Sequence, residues 1–385
     1  MTAYDPADER ALRVGRLVDD WMRSGLLTSA QREAIAPSLA VRLRRTNRFL
    51  RFTLSVITSV ILQSALGLLV VLLDSAVTPF TIGVMCAGAA VVCGWLAVWL
   101  ARRYEFYRFG VEEATAVAAI VLATASAALM TSSDGDGSLV AGLTVAGLTS
   151  LLAYRWFGFV YAAVAAVACA AALPFVLLDS AVAARLVALL VLAGLVAGLR
   201  RVRGGLGDEF PGDTYTVLEA LAWLGGYALV NLQITGLLTS SDRPAWLHWS
   251  SYAAIWMLPA VALWTAVRGR DRWLLRAALV MALATVVSNK GYLGSPRHEW
   301  DPAVFGLLLI GVALAVRRWL AAGEGGARHG YTAVRILASD AAALDGLALA
   351  SALQTGSTTS TAAPPADADL GGGGRSGGAG AGARF

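Results

Sequence analysis

Lysine is almost missing from this chain: of 31 basic residues, only Lys290 is one. Cysteine is scarce as well, at three residues, and charged residues make up only 15% of the total. Each shortage excludes something. Cys86, Cys93 and Cys169 all lie inside apolar runs. An odd number of such thiols builds no disulfide framework and shows no metal-ligand spacing, so they read as small apolar fillers. So little charge cannot cover the surface of a soluble domain. With 57% hydrophobic residues and a mean hydropathy of +0.64, the balance calls for a surface that faces lipid. Arginine in place of lysine, beside abundant alanine and glycine, has the look of codon bias. The net charge of +5 is spread over many short loops, and no stretch interleaves arginines with stacking aromatics, so no nucleic-acid partner is expected. A Walker-type phosphate loop, a His-Glu-x-x-His helix and a Gly-x-Ser-x-Gly elbow are all missing. No nucleophile or acid–base pair assembles at membrane depth. The expectation is a protein that is not an enzyme and carries no cofactor and no metal.

What the chain does hold is apolar runs. Crossing the hydrocarbon core takes roughly 20 mostly apolar residues as a helix. Ten runs approach or reach that length: Phe52–Leu73, Pro79–Leu100, Val111–Met130, Ser138–Tyr154, Phe157–Leu178, Ala181–Leu199, Tyr215–Leu238, Trp249–Val267, Leu274–Ser288 and Ala303–Leu320. The fourth and ninth are the shortest. The first 50 residues are charged and hold no cleavable apolar core, so the first span is expected to act as an uncleaved targeting signal.

The arginines sort by loop. Ten precede the first span, from Arg10 to Arg51. Others follow at Arg102, Arg103, Arg108, Arg155, Arg200, Arg201, Arg203, Arg268, Arg270, Arg272, Arg276, Arg317 and Arg318. All of these fall before the first span, at every second loop, or after the last. The remaining loops and adjoining span ends hold Arg185, Arg243, Lys290 and Arg297. The positive-inside rule then places both termini in the cytoplasm, at the inner membrane. Trp95, Trp99, Tyr104, Tyr154, Trp156, Trp246, Trp249, Trp273, Trp300 and Trp319 stand at span ends, where amphipathic rings prefer the headgroup region.

The two ends of the chain differ from its middle. Residues 1–51 read as a basic helical hairpin. Glu9–Ser24 is its first helix, with Val14, Leu17, Val18 and Trp21 as an apolar stripe. Gly25-Leu26-Leu27 turns, and Thr28–Gln31 opens the second helix with capping-box spacing. That second helix is expected to run through Arg42, Arg44, Arg45, Arg48 and Arg51 to the bilayer, a flank that sets topology and attracts anionic lipid. After the spans of 52–320, residues 321–354 are expected to carry a cytoplasmic amphipathic helix over Tyr331–Gln354, with Val334, Leu337, Ala341, Leu344 and Ala348 on one face. Residues 355–385 are Gly, Ala, Ser, Thr and Pro with too little apolar bulk to fold.

An internal repeat runs through the spans. Leu72-Leu73-Asp74-Ser75-Ala76-Val77 recurs unchanged as Leu177-Leu178-Asp179-Ser180-Ala181-Val182. Val111-Glu112-Glu113-Ala114 is echoed by Val217-Leu218-Glu219-Ala220, and Thr131-Ser132-Ser133-Asp134 by Thr239-Ser240-Ser241-Asp242. All three echoes share nearly one offset and fall at matching places in a four-span unit. A unit with an even number of spans repeats in the same orientation, about the membrane normal. The expected fold is therefore all-α, a polytopic bundle of about ten helices arranged 4+4+2.

Polar residues inside the spans are the candidates for a pathway. Glu112, Glu113 and Glu219 sit near the starts of the third and seventh spans, where a carboxylate also complements the helix dipole. Asp213 and Thr214 can cap the seventh span. The seventh span is the most polar: Glu219, Gly226 and Gln233 share one stripe, with Tyr227 and Asn231 on a neighbouring one. Such faces must turn into the bundle, as must Gln63 in the first span, and helix–helix hydrogen bonds account for them as well as a ligand does. Gly194 and Gly198 have the spacing that permits close helix approach. His248, His298, Glu299 and Asp301 could supply metal ligands from two of the opposite loops, but their spacing matches no metal pattern. Asp74, Asp134, Asp136, Asp179 and Asp242 there read as turn and cap residues.

The segment Trp21-Met22-Arg23-Ser24-Gly25-Leu26-Leu27-Thr28-Ser29-Ala30-Gln31 resembles the start of a bacterial family of predicted polytopic membrane proteins, domain of unknown function 2157. Its members open with a hairpin of the form Trp-x-x-x-Gly-Leu-Ile-x-x-x-Gln; here Leu27 replaces the usual Ile. Trp300-Asp301-Pro302 leading into Phe305-Gly306, and Arg328-His329-Gly330-Tyr331-Thr332-Ala333, also resemble recurring features of such chains. The resemblance implies an integral membrane protein with a cytoplasmic hairpin, and it supplies no catalytic residues. Two functions follow as expectations. One is a small-molecule or ion transporter with the third and seventh spans lining its path. The other is a membrane scaffold or sensor that recruits a protein partner through its cytoplasmic ends.

Overall fold

The computed structural model describes residues 3–73, 78–131, 135–205, 212–236, 245–269, 271–294, 300–323, 327–328 and 331–332. The described residues are helical almost throughout. Its elements are α1 (Pro6–Arg23), α2 (Ser29–Ile35), a 3-10 turn (Ala36–Leu39), α3 (Arg48–Leu73), α4 (Pro79–Arg103), α5 (Val111–Met130), α6 (Gly135–Phe157), α7 (Val160–Leu177), α8 (Ala181–Gly205), α9 (Gly212–Val230), α10 (Ala245–Gly269), α11 (Arg272–Tyr292) and α12 (Asp301–Ala321). A two-residue hairpin of β1 (Ala327–Arg328) and β2 (Tyr331–Thr332) follows.

Among the described residues eight helices, α3 to α8 with α10 and α11, are long and apolar enough to cross a bilayer. This makes the chain a multi-pass, all-α membrane protein. The expected seventh and tenth spans correspond to α9 and α12, helices of 19 and 21 residues that are not among those eight. The two shortest expected spans are longer than their apolar runs, because α6 and α11 carry Arg155 and Lys290 within their last turns. Long cationic side chains at helix ends reach the interface while their stems stay in apolar surroundings.

Local chemistry sets the boundaries. Pro79 at the first turn and a reciprocal Thr78–Thr81 box start α4. Asp271 starts α11 by accepting the Trp273 and Leu274 N–H groups. Neighbours in sequence pack in space from α4 to α9, and α10 packs on α11. Within this row α5 touches α3, α4 and α6, while α9 touches α7, α8, α10 and α11. Helix α3 lies on the outside; its membrane window contains no buried residue. Two apolar clusters organise the halves. One joins Ala97, Ala101, Tyr107, Ala116, Phe157 and Ala162. The other joins Tyr227, Ile255, Ala262, Leu274, Met281 and Tyr292.

The N-terminal hairpin forms, with the Thr28–Gln31 capping box in place, but its second arm differs from expectation. Helix α2 ends at Ile35, Pro37 sits in the 3-10 turn, and an extended strap follows before α3 begins at Arg48. Proline fixes its own φ and lacks an N–H, so it stops the helix that the basic run was expected to continue. The strap pairs with the α4–α5 loop: the Arg44 N–H donates to the Glu105 carbonyl at 2.9 Å and the Tyr107 N–H to the Arg44 carbonyl at 3.1 Å. Helix α1 is docked on the same end of the bundle through Leu12 and Tyr4, which join the first apolar cluster. Tyr331 and Thr332, expected to open an amphipathic helix, are strand residues facing Ala327 and Arg328. The rest of that helix and the 355–385 tail lie outside the described residues.

Candidate functional site

Buried carboxylates sit in the first turn of α5 and about two turns into α9, both toward the arginine-rich end. Glu113 of α5 and Glu219 of α9 are each held by arginine from a neighbouring helix. In α5, Arg51 donates from Nε to Glu113 Oε2 at 2.5 Å and from Nη2 to Oε1. Glu112 turns away from that pair and accepts the Phe109 and Gly110 N–H groups at 2.6 and 3.2 Å, satisfying donors at the helix start. Gly110 has φ +113, and a Cβ at this position would run into the Arg51 carbonyl. Only glycine lets α3 and α5 meet there. Ser55 seals the contact, its hydroxyl donating to the Gly110 carbonyl at 2.9 Å. Nearby, Tyr4 lies edge-on to Tyr107 and Phe157. Burial, and then the charge of Glu112, pushes its phenol well above the usual tyrosine range.

The α9 carboxylate is held differently. Arg200 Nε donates to Glu219 Oε1 at 2.7 Å and Arg203 Nη1 to Oε2 at 2.9 Å. Arg203 also reaches Asp271 Oδ2 at 3.2 Å, while Asp271 Oδ1 caps α11. Four charged groups thus tie α8, α9 and the start of α11 together. A cleft of 490 Å³ opens over them, lined by Arg200, Arg203, Glu219, Thr265, Arg268 and Asp271. The arginine side chains are 43% and 32% exposed and Glu219 only 2%, so the cleft is walled by guanidinium groups and floored by a carboxylate. Buried ion pairs contribute little net stability against an apolar alternative, since desolvation offsets the attraction, yet they cost several kcal/mol when one partner is removed. Such pairs suit a two-state element.

From Glu219 a stripe runs along α9 at every fourth residue: Glu219, Trp223, Tyr227, Asn231. Arg200 lies over the Trp223 ring at 5.9 Å. Near the arginine-poor end Asn231 Nδ2 donates to the Tyr227 hydroxyl at 3.1 Å and to Ser288 Oγ at 2.8 Å. Tyr227 and Thr285 are 2.9 Å apart, and Thr285 Oγ1 donates to the Ile255 carbonyl at 2.6 Å. These hydrogen bonds link Asn231 through Tyr227 and Thr285 to the Ile255 carbonyl of α10, with the Met281 carbonyl 2.9 Å from the same Thr285 hydroxyl. Between the cleft and this network, Leu192 and Leu189 of α8 pack on Gly225 and Gly226.

Of the expected pathway residues, Glu219 and Asn231 come together on one face of α9. Gln233 does not join them. The helix ends at Val230 because Asn231 Oδ1 accepts the Gln233 and Ile234 N–H groups at 3.0 and 3.3 Å, folding the chain into a turn. The expected stripe of Glu219, Gly226 and Gln233 is replaced by the i, i+4 row. Glu113 belongs to the other cluster. Gln63 is exposed on α3 rather than turned into the bundle. A Cβ at Gly194 or Gly198 would meet nothing within 4 Å, so neither brings helices together among the described residues. Asp301 pairs with Lys290 at 2.5 Å, and no metal-holding cluster occurs among the described residues. His298 and Glu299 lie outside those residues, as does the side chain of Asp213. Sequence reasoning missed Arg200, Arg203, Asp271, Thr285 and Ser288 as site residues. One local signal existed, Asp271 as a helix start before an apolar run; the rest are brought in by packing alone.

No family model matches the chain, and no curated protein does either. Among solved structures, a chain of the "MycP5-free ESX-5 inner membrane complex, State II" is similar to this one at 20% sequence identity, with 75% of each chain covered and a TM-score of 0.46.

Proposed function

We propose that this protein is a non-enzymatic transporter of a small solute or ion, with its arginine-rich end facing the cytoplasm. The observation that carries the reading is the cleft that reaches the Glu219 carboxylate from that end. The polar row of Trp223, Tyr227 and Asn231 continues from there along α9 toward the opposite end. In this reading the Arg200–Glu219–Arg203–Asp271 pairs form one gate, the Asn231–Tyr227–Thr285 chain forms the other, and Leu189 and Leu192 on Gly225 and Gly226 form the apolar barrier between them. A closed gate whose ion pairs must separate for passage is a bistable element in the sense that transport requires. The orientation rests on the positive-inside distribution of arginine. The exposed Arg42, Arg44 and Arg45 would then face anionic lipid in the cytoplasmic leaflet.

The parallel repeat belongs to the same proposal. It is supported by the way α5 packs on α3, α4 and α6 while α9 packs on α7, α8 and α10, and by the matching positions of Glu113 and Glu219. Membership of the domain-of-unknown-function family is likewise proposed, on the Trp21–Gln31 segment.

The test uses single cysteines in a background where Cys86, Cys93 and Cys169 are alanine. Ser288→Cys reports on the far network. A transporter makes it reachable by a membrane-impermeant thiol reagent from the arginine-poor face in a fraction of molecules, and Glu219→Gln lowers that rate by favouring the opposite opening. A second reading, a scaffold or sensor acting through the cytoplasmic hairpin, is favoured by the docking of α1 on the bundle with Trp21 and Leu26 left exposed. In that case Ser288→Cys stays unlabelled from both faces.

A further inference from the structure

We propose that Arg185, together with His248 and Tyr292, forms a binding site for an anionic oxygen group, a carboxylate or phosphate, at the arginine-poor end of α8, α10 and α11. Arg185 lies in the second turn of α8, where its Nε and Nη1 are closed to solvent and have no hydrogen-bond partner. It precedes Arg203 by about five helical turns and so shares its face of α8. At the Arg203 end two carboxylates answer the charge. At the Arg185 end no described carboxylate does; Tyr292 is the ionisable side chain that bears on it. The neighbouring cation, Lys290, already has Asp301.

A second orphan sits beside the same tyrosine. His248 Nδ1 is closed to solvent and lacks a partner, and its ring centre is 5.4 Å from that of Tyr292. Tyr292 is itself fixed in place, its hydroxyl accepting the Leu232 N–H at 2.7 Å. A guanidinium withdrawn from water costs free energy unless an opposite charge meets it. Its fork of donors matches a carboxylate or phosphate in two-point contact. The imidazole, as an N–H donor, adds a third contact to the same group. The site stands apart from the Glu219 cleft and does not depend on transport. A free anion and the phosphodiester of a lipid in that leaflet offer the same chemistry.

The test uses the full chain in nanodiscs, comparing wild type with Arg185→Gln, Arg185→Lys and His248→Asn. In phosphatidylcholine discs, inorganic phosphate is titrated against chloride at equal ionic strength and the thermal unfolding midpoint is read. In discs containing phosphatidylglycerol, native mass spectrometry counts the phospholipid retained after delipidation. If the source is a free anion, phosphate raises the wild-type midpoint. Arg185→Gln then weakens the apparent affinity at least about tenfold, the loss expected for a charge-assisted contact, while Arg185→Lys keeps part of the response. If the source is lipid, phosphate is without effect, and wild type retains phosphatidylglycerol that Arg185→Gln loses. The idea is overturned if Arg185→Gln matches wild type in both arms. It is also overturned if Arg185→Gln and Arg185→Lys lower the midpoint equally with and without anion, since Arg185 would then serve packing alone.

Discussion

The α5 and α9 carboxylates make an instructive pair. Glu113 and Glu219 align in the repeat proposed above, and both are buried against arginine. Around Glu113 the helices are fastened together, although Arg51 keeps 33% of its side chain exposed. One arginine comes from α3, Gly110 brings the backbones into contact and Ser55 seals the seam. Around Glu219 two arginines on α8 leave a cleft above them. The difference continues along each helix. In the register that matches Glu113 with Glu219, α5 has Val117, Val121 and Ala125 where α9 has Trp223, Tyr227 and Asn231. The same starting motif serves as a fastening in one half and as the head of a polar path in the other. A buried ion pair does not by itself mark function; the neighbours that keep water near it do.

Five substitutions break or sharpen this contrast. Gly110→Ala should have the largest effect, a loss of about 3 kcal/mol or more, because the residue needs positive φ and backbone contact. Gly225→Ala in the other half meets only the flexible end of Leu192 at 3.3 Å and should cost under about 1 kcal/mol. Denaturant unfolding of both variants in one detergent gives the comparison. Asn231→Ala removes the side chain that holds Tyr227, Ser288 and the turn, and should cost about 2–3 kcal/mol, with faster amide exchange confined to α9 and α11. Glu113→Gln and Glu219→Gln should each cost about 1–2 kcal/mol, since each strands arginine that water already reaches in part.

Tyr4→Phe should move stability least. The Tyr4 hydroxyl is buried without a partner, so its removal is neutral or stabilising by up to about 1 kcal/mol. Its raised pKa also fixes a direction with pH. Below the ordinary tyrosine value of 10.0 both folded and unfolded forms are neutral. Above it the unfolded chain ionises while the folded one does not, so stability falls as pH rises. Tyr4→Phe should flatten that alkaline fall in a pH series of thermal unfolding, and an unchanged slope would remove Tyr4 as its source.

Much of the bundle was legible in the sequence because the bilayer imposes length and hydropathy on each span. The Thr28–Gln31 capping box was legible because its two side chains lie three residues apart. Pro37 carried a legible stop as well, but the continuous run of arginines after it suggested a helix. The site was half legible. Glu219 and Asn231 stood out as polar groups in an apolar run, whereas Arg200 and Arg203 looked like ordinary topology markers. Only packing brings α8 against α9 and α11, and periodicity within one helix says nothing about which neighbour will face it. Gln233 was misplaced for a related reason: an asparagine that folds back on its own backbone ends a helix without any proline or glycine to announce it.

The contrast rests on a cleft that opens on the arginines around Glu219 and a tight backbone seam that closes the contact beside Glu113. In the cysteine-free background, Thr265→Cys lies on the cleft wall and Thr115→Cys lies buried beside Glu112, its native side chain 1% exposed. Labelling with an impermeant maleimide in inverted vesicles, where the proposed orientation puts the arginine-rich face outside, should modify Thr265→Cys readily and leave Thr115→Cys untouched. Equal labelling of the two, or a Thr265→Cys that reacts only in right-side-out vesicles, would contradict it.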